Sequence, residues 1–133
     1  MKNLRVSIEK ETHGIYDNLV KRGSENPDDF PFQTMKDLFM TAACLGVRHN
    51  SYEELKSSVS IFNSDVFDES IDLPVMACIA YHRSQELKTL NDSKAILEIV
   101  QGYANGGVHV LREHLLNNPG RPLDNLIAVI MST

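Results

Sequence analysis

The chain has 133 residues, 42% hydrophobic and 23% charged, which is the balance of one ordinary folded domain and too apolar for a disordered segment. A formal charge of −5 and a pI near 5.5 disfavour strong nonspecific nucleic-acid binding, which needs clustered Lys and Arg at a phosphate surface; a local basic patch stays open. No apolar run approaches the ~20 residues that span a bilayer and the start lacks a signal-peptide core, so the expectation is a single cytosolic domain over residues 1–133.

Residues 3–9 alternate apolar Leu4, Val6 and Ile8 with polar neighbours, the period of a half-buried strand. An isolated strand is not stable, and no second convincing one follows. Two readings therefore stand: pairing with a second copy of the chain, or an extended arm lying on the helices. Thr12 is placed to cap a helix to about Arg22, with Ile15, Tyr16, Leu19 and Val20 on one face and Gly23 ending it. The polar run 24–29 is a loop.

Segment 30–46 reads as the central helix of the core. Thr34 is its N-cap, Asp37 supplies a carboxylate to the first turn, and Gly46 is the expected left-handed stop. Met35, Leu38, Phe39, Ala42, Ala43 and Leu45 recur at helical spacing, and the adjacent alanines let another backbone come close. An exit loop, 47–51, carries Arg48 and His49, and residues 52–60 read as a weak helix. Ile61-Phe62 and Val66-Phe67 are expected to anchor a long connection on the core. Asp65, Asp68, Glu69 and Asp72 lack the glycine and terminal glutamate of an EF-hand loop and read as a solvated face.

With Pro74 at its first position, a further helix is expected over about 73–88, built on Val75, Met76, Ile79, Ala80 and Leu87. Asn91-Asp92-Ser93 is a turn and cap for the next helix, which runs into Tyr103-Ala104-Asn105-Gly106-Gly107. The paired glycines either break that helix or let something approach its backbone, and close packing is the preferred reading. Val108 to Leu116 resume the helical face, residues 119–122 turn, and 123–131 form a short C-terminal helix whose Leu126, Ile127, Val129 and Ile130 need burial. The expected class is mainly α, a compact bundle of about five to six helices with one short N-terminal β-strand or extended arm.

Chemistry is sparse. His109 and Glu113 lie four apart on one helix face and are the best metal-ligand candidates, yet the order His-Val-Leu-Arg-Glu-His matches no zinc-protease motif and a solvated pair is preferred. The polar run 81–86 has no nucleophile elbow. Cys44 and Cys78 read as small helical hydrophobes without a disulfide, and no cofactor is expected. Cations concentrate in the N-terminal third, so any DNA contact is expected at Arg5, Lys10, Lys21, Arg22 and Arg48.

Phe32, Thr34, Asp37, Phe39, Ala42, Ala43, Leu45 and Gly46, then Val66 and Phe67, then Tyr103, Ala104, Asn105, Gly106, Gly107 and Leu111 follow in order along nearly the whole chain. This pattern resembles the DNA phosphorothioation-associated (Dnd system-associated) small proteins. It departs at Pro31, where glycine is expected, and after Gly46, where an Arg-rich stretch shrinks to Arg48 and His49. The resemblance implies a bacterial accessory protein encoded beside DNA sulfur-modification or phage-defence genes, and it transfers no catalytic residue. The early strand and helices also resemble loosely the ribbon-helix-helix arrangement, in which two chains pair strands to read DNA. The expected function is thus a non-enzymatic accessory or regulatory protein, acting as a homo-oligomer through other defence-system proteins and with DNA as a further partner. A small metal-dependent nuclease or hydrolase using His109 and Glu113 is the alternative.

Overall fold

In the computed structural model, residues 1–20 and 26–132 are described. The elements run β1 (Arg5–Glu9), α1 (His13–Leu19), α2 (Met35–Arg48), β2 (Ser58–Asn63), α3 (Asp72–Ser84), α4 (Ser93–Leu111) and α5 (Pro122–Met131). The fold is mainly α, with the helices packed beside one two-stranded sheet.

The first strand does have a partner within the chain. β1 pairs antiparallel with β2, from Arg5 opposite Asn63 to Glu9 opposite Ser58, with a bulge after Val6. Ser58-Val59-Ser60-Ile61 alternates as a strand must, so the weak helix expected over 52–60 is absent and its last three residues are sheet. Pairing with a second copy is not needed to satisfy β1, and the ribbon-helix-helix likeness loses its premise. Val6 and Ile8 face the core, 0% and 4% exposed.

Helix α2 starts as its sequence dictates, with Thr34 Oγ1 accepting the amide of Asp37 at 3.1 Å. It does not stop at Gly46. The helix continues to Arg48 and closes through bonds from the Ser51 amide to the Gly46 carbonyl (2.7 Å) and from the Asn50 amide to the Val47 carbonyl (3.1 Å). Asn50, at φ 50°, is the left-handed residue of this Schellman-type end. Gly46 is needed for another reason: a Cβ there would run into the backbone carbonyl of Tyr103 on α4. Gly107 mirrors it, since its Cβ would enter the carbonyl of Ala42 on α2. The two helices form the principal contact of the molecule, backbone against backbone, and α4 passes unbroken through its glycine pair.

Phe39 sits at 0% exposure with Phe62 and Phe67 around it, ring centroids 5.9 and 6.1 Å away. Phe67 is thus an anchor as expected, whereas Val66 is half exposed. Asp72, the first residue of α3, is structural and not part of a solvated face: its Oδ2 accepts from Lys36 Nζ at 2.9 Å and from the Asp68 amide at 2.8 Å, tying the turn before α3 to α2. α3 ends at Ser84, four residues earlier than expected, because Gln85 takes a left-handed conformation at φ 57°. Its Pro74 is the third helical residue. Thr12 does not cap α1; its hydroxyl donates to the Glu9 carbonyl at 2.8 Å. Asp92 does cap α4, accepting the Ala95 amide at 3.1 Å. Cys44 and Cys78, on α2 and α3 as expected, are free and stand on the exposed side of those helices. On α5, Leu126 and Val129 are buried but Ile127, Ile130 and Met131 are 51%, 53% and 78% exposed, against the expectation that the helix hides its apolar face. Among the described residues no helix is long and apolar enough to cross a membrane.

Candidate functional site

Between α2 and β2 the chain crosses α4 as a strap, residues 51–57. Its position is fixed by missing side chains and by backbone bonds. A Cβ on Gly106 would enter the Ser51 carbonyl, and one on Gly102 would enter the Tyr52 ring. The Glu53 amide donates to the Gly102 carbonyl at 3.0 Å, and Asn105 Nδ2 donates to the Glu53 carbonyl at 3.2 Å. At the far end both Glu9 carboxylate oxygens accept strap amides, those of Lys56 and Ser57, each at 2.7 Å. These two bonds hold the Glu9 carboxyl below its ordinary pKa.

Tyr52 locks the strap from the other side. Its ring meets Tyr103 edge to face at 5.0 Å, and the Arg83 guanidinium lies 3.5 Å from the ring centre. Burial pushes the Tyr52 hydroxyl up, with Arg83 opposing part of that shift. The polar run of α3 therefore includes a packing cation, and the arrangement contains no nucleophile and base in contact.

Beneath the strap lies an open cavity of about 520 Å³. Four carboxylates line it, Glu9, Glu11, Glu53 and Glu54, against the single cation Lys56. Asn105 and His109, one helical turn apart, bring one stripe of α4 to it. His109 Nε2 lies 3.5 Å from Glu53 Oε2. Asn105 is only 7% exposed, and its Oδ1 is buried without a hydrogen-bond partner among the described residues. An orphaned amide oxygen costs free energy unless a donor reaches it.

The residues singled out from sequence are distributed differently from this cavity. Arg5 and Lys10 are exposed at opposite ends of β1, roughly 16 Å apart at strand rise, which exceeds a physiological Debye length. Lys10 stands between Glu9 and Glu11, and Arg48 is exposed at the end of α2. Lys21 and Arg22 lie outside the described residues. His109 joins Glu53 and not Glu113, which is exposed on the wide turn Arg112–Leu116 after α4. Among the described residues no three His, Cys, Asp or Glu side chains gather as metal ligands. Sequence reasoning missed Glu9, Glu11, Glu53 and Glu54; of the residues lining the cavity, Asn105 stood in a quoted motif for its place beside the glycines, and His109 was singled out as a metal-ligand candidate.

A family model described as DNA sulphur modification system-associated protein 4 matches residues 5–133. The chain belongs to that family. The match reaches from the first residue of β1 to the last residue of the chain and includes the strap and every residue lining the cavity. Membership associates the chain with a DNA sulphur-modification system, as the resemblance implied. Neither a curated protein nor a solved structure matches it.

Proposed function

We propose that this family member is a non-enzymatic accessory protein that acts by docking other proteins of the DNA sulphur-modification system. The observation that carries the reading is the outer stripe of α5. Ile127, Ile130 and Met131 recur at three- and four-residue spacing and stand half exposed or more, the pattern of a helix face that a partner would cover. Assembly with a second copy belongs to the same proposal, now through α5 instead of β1. Direct DNA contact is its second branch, supported by the family description and by the exposure of Arg5 and Lys10.

Co-expression with the system's other proteins, one at a time, followed by co-purification and light scattering, tests the reading. The wild type is expected to form a stable complex that the paired substitution Ile127→Asp and Ile130→Asp abolishes without loss of helicity. No complex with any of them, or one indifferent to the pair, would sink it. A salt-sensitive duplex shift lost on Arg5→Glu or Lys10→Glu would support the DNA branch, and no shift at low salt would remove it.

A further inference from the structure

We propose that the outer face of α3 pairs antiparallel with α3 of a second copy of this chain, about a two-fold axis at Cys78. This helix is apolar on both sides. Met76, Ile79 and Ala80 are buried in the core, while Ile71 at the N-cap, Val75, Cys78 and His82 stand exposed on the opposite side with Pro74 and Tyr81 beside them. Steps of four, three and four residues separate 71, 75, 78 and 82, the alternation of a seam along which one helix packs on another. Past the helix end the seam continues to Leu87 and Leu90, which with Tyr81 wall a groove of about 460 Å³. Both formal charges of α3 are turned off the seam: Asp72 is buried against Lys36 at 2.9 Å, and the Arg83 guanidinium lies 3.5 Å from the centre of the Tyr52 ring. A helix apolar all round belongs in an interior, and among the described residues nothing covers this side.

Symmetry and charge name the second copy as the occupant. A two-fold axis sets the same face of two molecules together, so any charge on that face meets its like. In a chain of net charge −5, the seam of α3 carries no formal charge. Cys78 is the midpoint of Asp72–Ser84, so an antiparallel pair centred there overlaps along the whole helix, about 20 Å, with Cys78 facing its own counterpart. The helix ends favour that direction. Asp68 and Glu69 are exposed just before α3, and Arg83 and Lys88 are exposed at its far end. Glu86 shares Lys88 at 3.0 Å, which leaves Arg83 to set the sign there. Antiparallel packing brings the acids of one copy beside the cation of the other and opposes the two helix dipoles, whereas a parallel pair sets like on like. The pairing goes beyond the docking reading above because it uses no residue of α5.

Sedimentation velocity on the full chain, up to roughly 100 µM, should show a dimer whose Kd rises about tenfold or more in Val75→Asp, which sets a carboxylate on the seam and leaves the buried side of α3 untouched. Oxidation with copper phenanthroline gives a second reading. The Cys44→Ser chain should form a linked dimer through Cys78, and the Cys78→Ser chain none. Val75→Cys, in a chain whose two cysteines are both replaced by serine, should link slowly, because its antiparallel neighbour is Tyr81 of the other copy. These chains carry the test if Val75→Asp does not fold. The pair Ile127→Asp and Ile130→Asp should leave the dimer in place, so a failure of the docking reading does not touch this one. A monomer at every concentration, a dimer indifferent to Val75→Asp, or linking through Cys44 as fast as through Cys78 would each overturn the pairing. Loss of the dimer in the α5 pair would overturn it too and give self-assembly to that helix, and Val75→Cys linking as fast as Cys78 would overturn the antiparallel direction.

Discussion

Substituting Gly107 by Ala tests the central claim about how this fold is built. By helix propensity alone the change would stabilise α4 by about 1 kcal/mol, since Gly107 lies inside a regular helix. The structure opposes that gain. The added methyl would coincide with the Ala42 carbonyl oxygen and approach the Ala42 carbonyl carbon and the Gly46 nitrogen at 2.7 Å, all of them backbone atoms with no rotamer to turn away. α2 and α4 would have to separate by an ångström or more, and a gap of 0.5–1 Å already forfeits roughly a quarter to a half of each dispersion well along the contact. Overpacking costs usually run to about 3 kcal/mol where side chains can adjust; with none able to, the net loss after the propensity gain is about 3 kcal/mol or more. That is a large share of a total of about 5–15 kcal/mol and corresponds to a fall of about 10 °C in Tm. Urea unfolding followed by circular dichroism reads it as a lower midpoint at unchanged slope. Gly14→Ala is the control, because a methyl there meets nothing within 4 Å and should raise stability by about 0.5–1 kcal/mol. A Gly107→Ala chain as stable as the wild type would refute the backbone-to-backbone packing.

Three further outcomes follow from single side chains. Phe39→Ala removes a fully buried ring packed against Phe62 and Phe67 and should cost ~3–5 kcal/mol in the same unfolding assay; a loss below about 1 kcal/mol would mean that the ring does not organise the core. Tyr16→Phe removes a hydroxyl that is buried without a partner among the described residues and whose pKa burial pushes far up, so stability should stay level or rise by about 1 kcal/mol, while a clear loss would reveal a bond. Glu9 has a folded-state pKa below the ordinary 4.5, so its contribution is complete above that pH and is lost as pH falls through the lower folded value. An acid titration followed at the Lys56 and Ser57 amides should show both moving together below pH 4.5, and a midpoint above it would contradict the pair of bonds.

Signals confined to one turn of chain were legible before the structure. Thr34 and Asp92 cap the helices they precede, and the spacing of Leu38, Phe39, Ala42 and Ala43 places all four in the core. The failures are nonlocal. β2 was missed because 52–57 is made of good helix formers and because its partner lies about fifty residues earlier, beyond any local pattern. The commonest use of glycine makes Gly46 a helix stop in the sequence, whereas the left-handed position falls to Asn50 and the glycine serves a contact with α4. The exposed stripe of α5 looks in sequence like any buried amphipathic face, because periodicity reports that a face is apolar and not what covers it.

The stretch Tyr103 to Gly107 explains why five residues can mark a whole chain. Three stripes of α4, each four residues in spacing, converge on it. Gly102 and Gly106 take the strap, Tyr103 and Gly107 take α2, and Asn105 with His109 lines the cavity. Two of those stripes are bound to the fold, since an added side-chain atom would enter backbone at Gly106 and Gly107 and the Tyr52 ring at Gly102. Replacing a glycine in this run would unfold the strap or part the helices and so could not separate stability from recognition. Only the Asn105 stripe can. Glu53 and Glu54, which line the same cavity, are exposed and can be neutralised while Gly102, Gly106 and Gly107 keep their contacts. A binding defect from that pair at unchanged unfolding midpoint would therefore assign the cavity to recognition, and an equal fall in stability would return it to the scaffold.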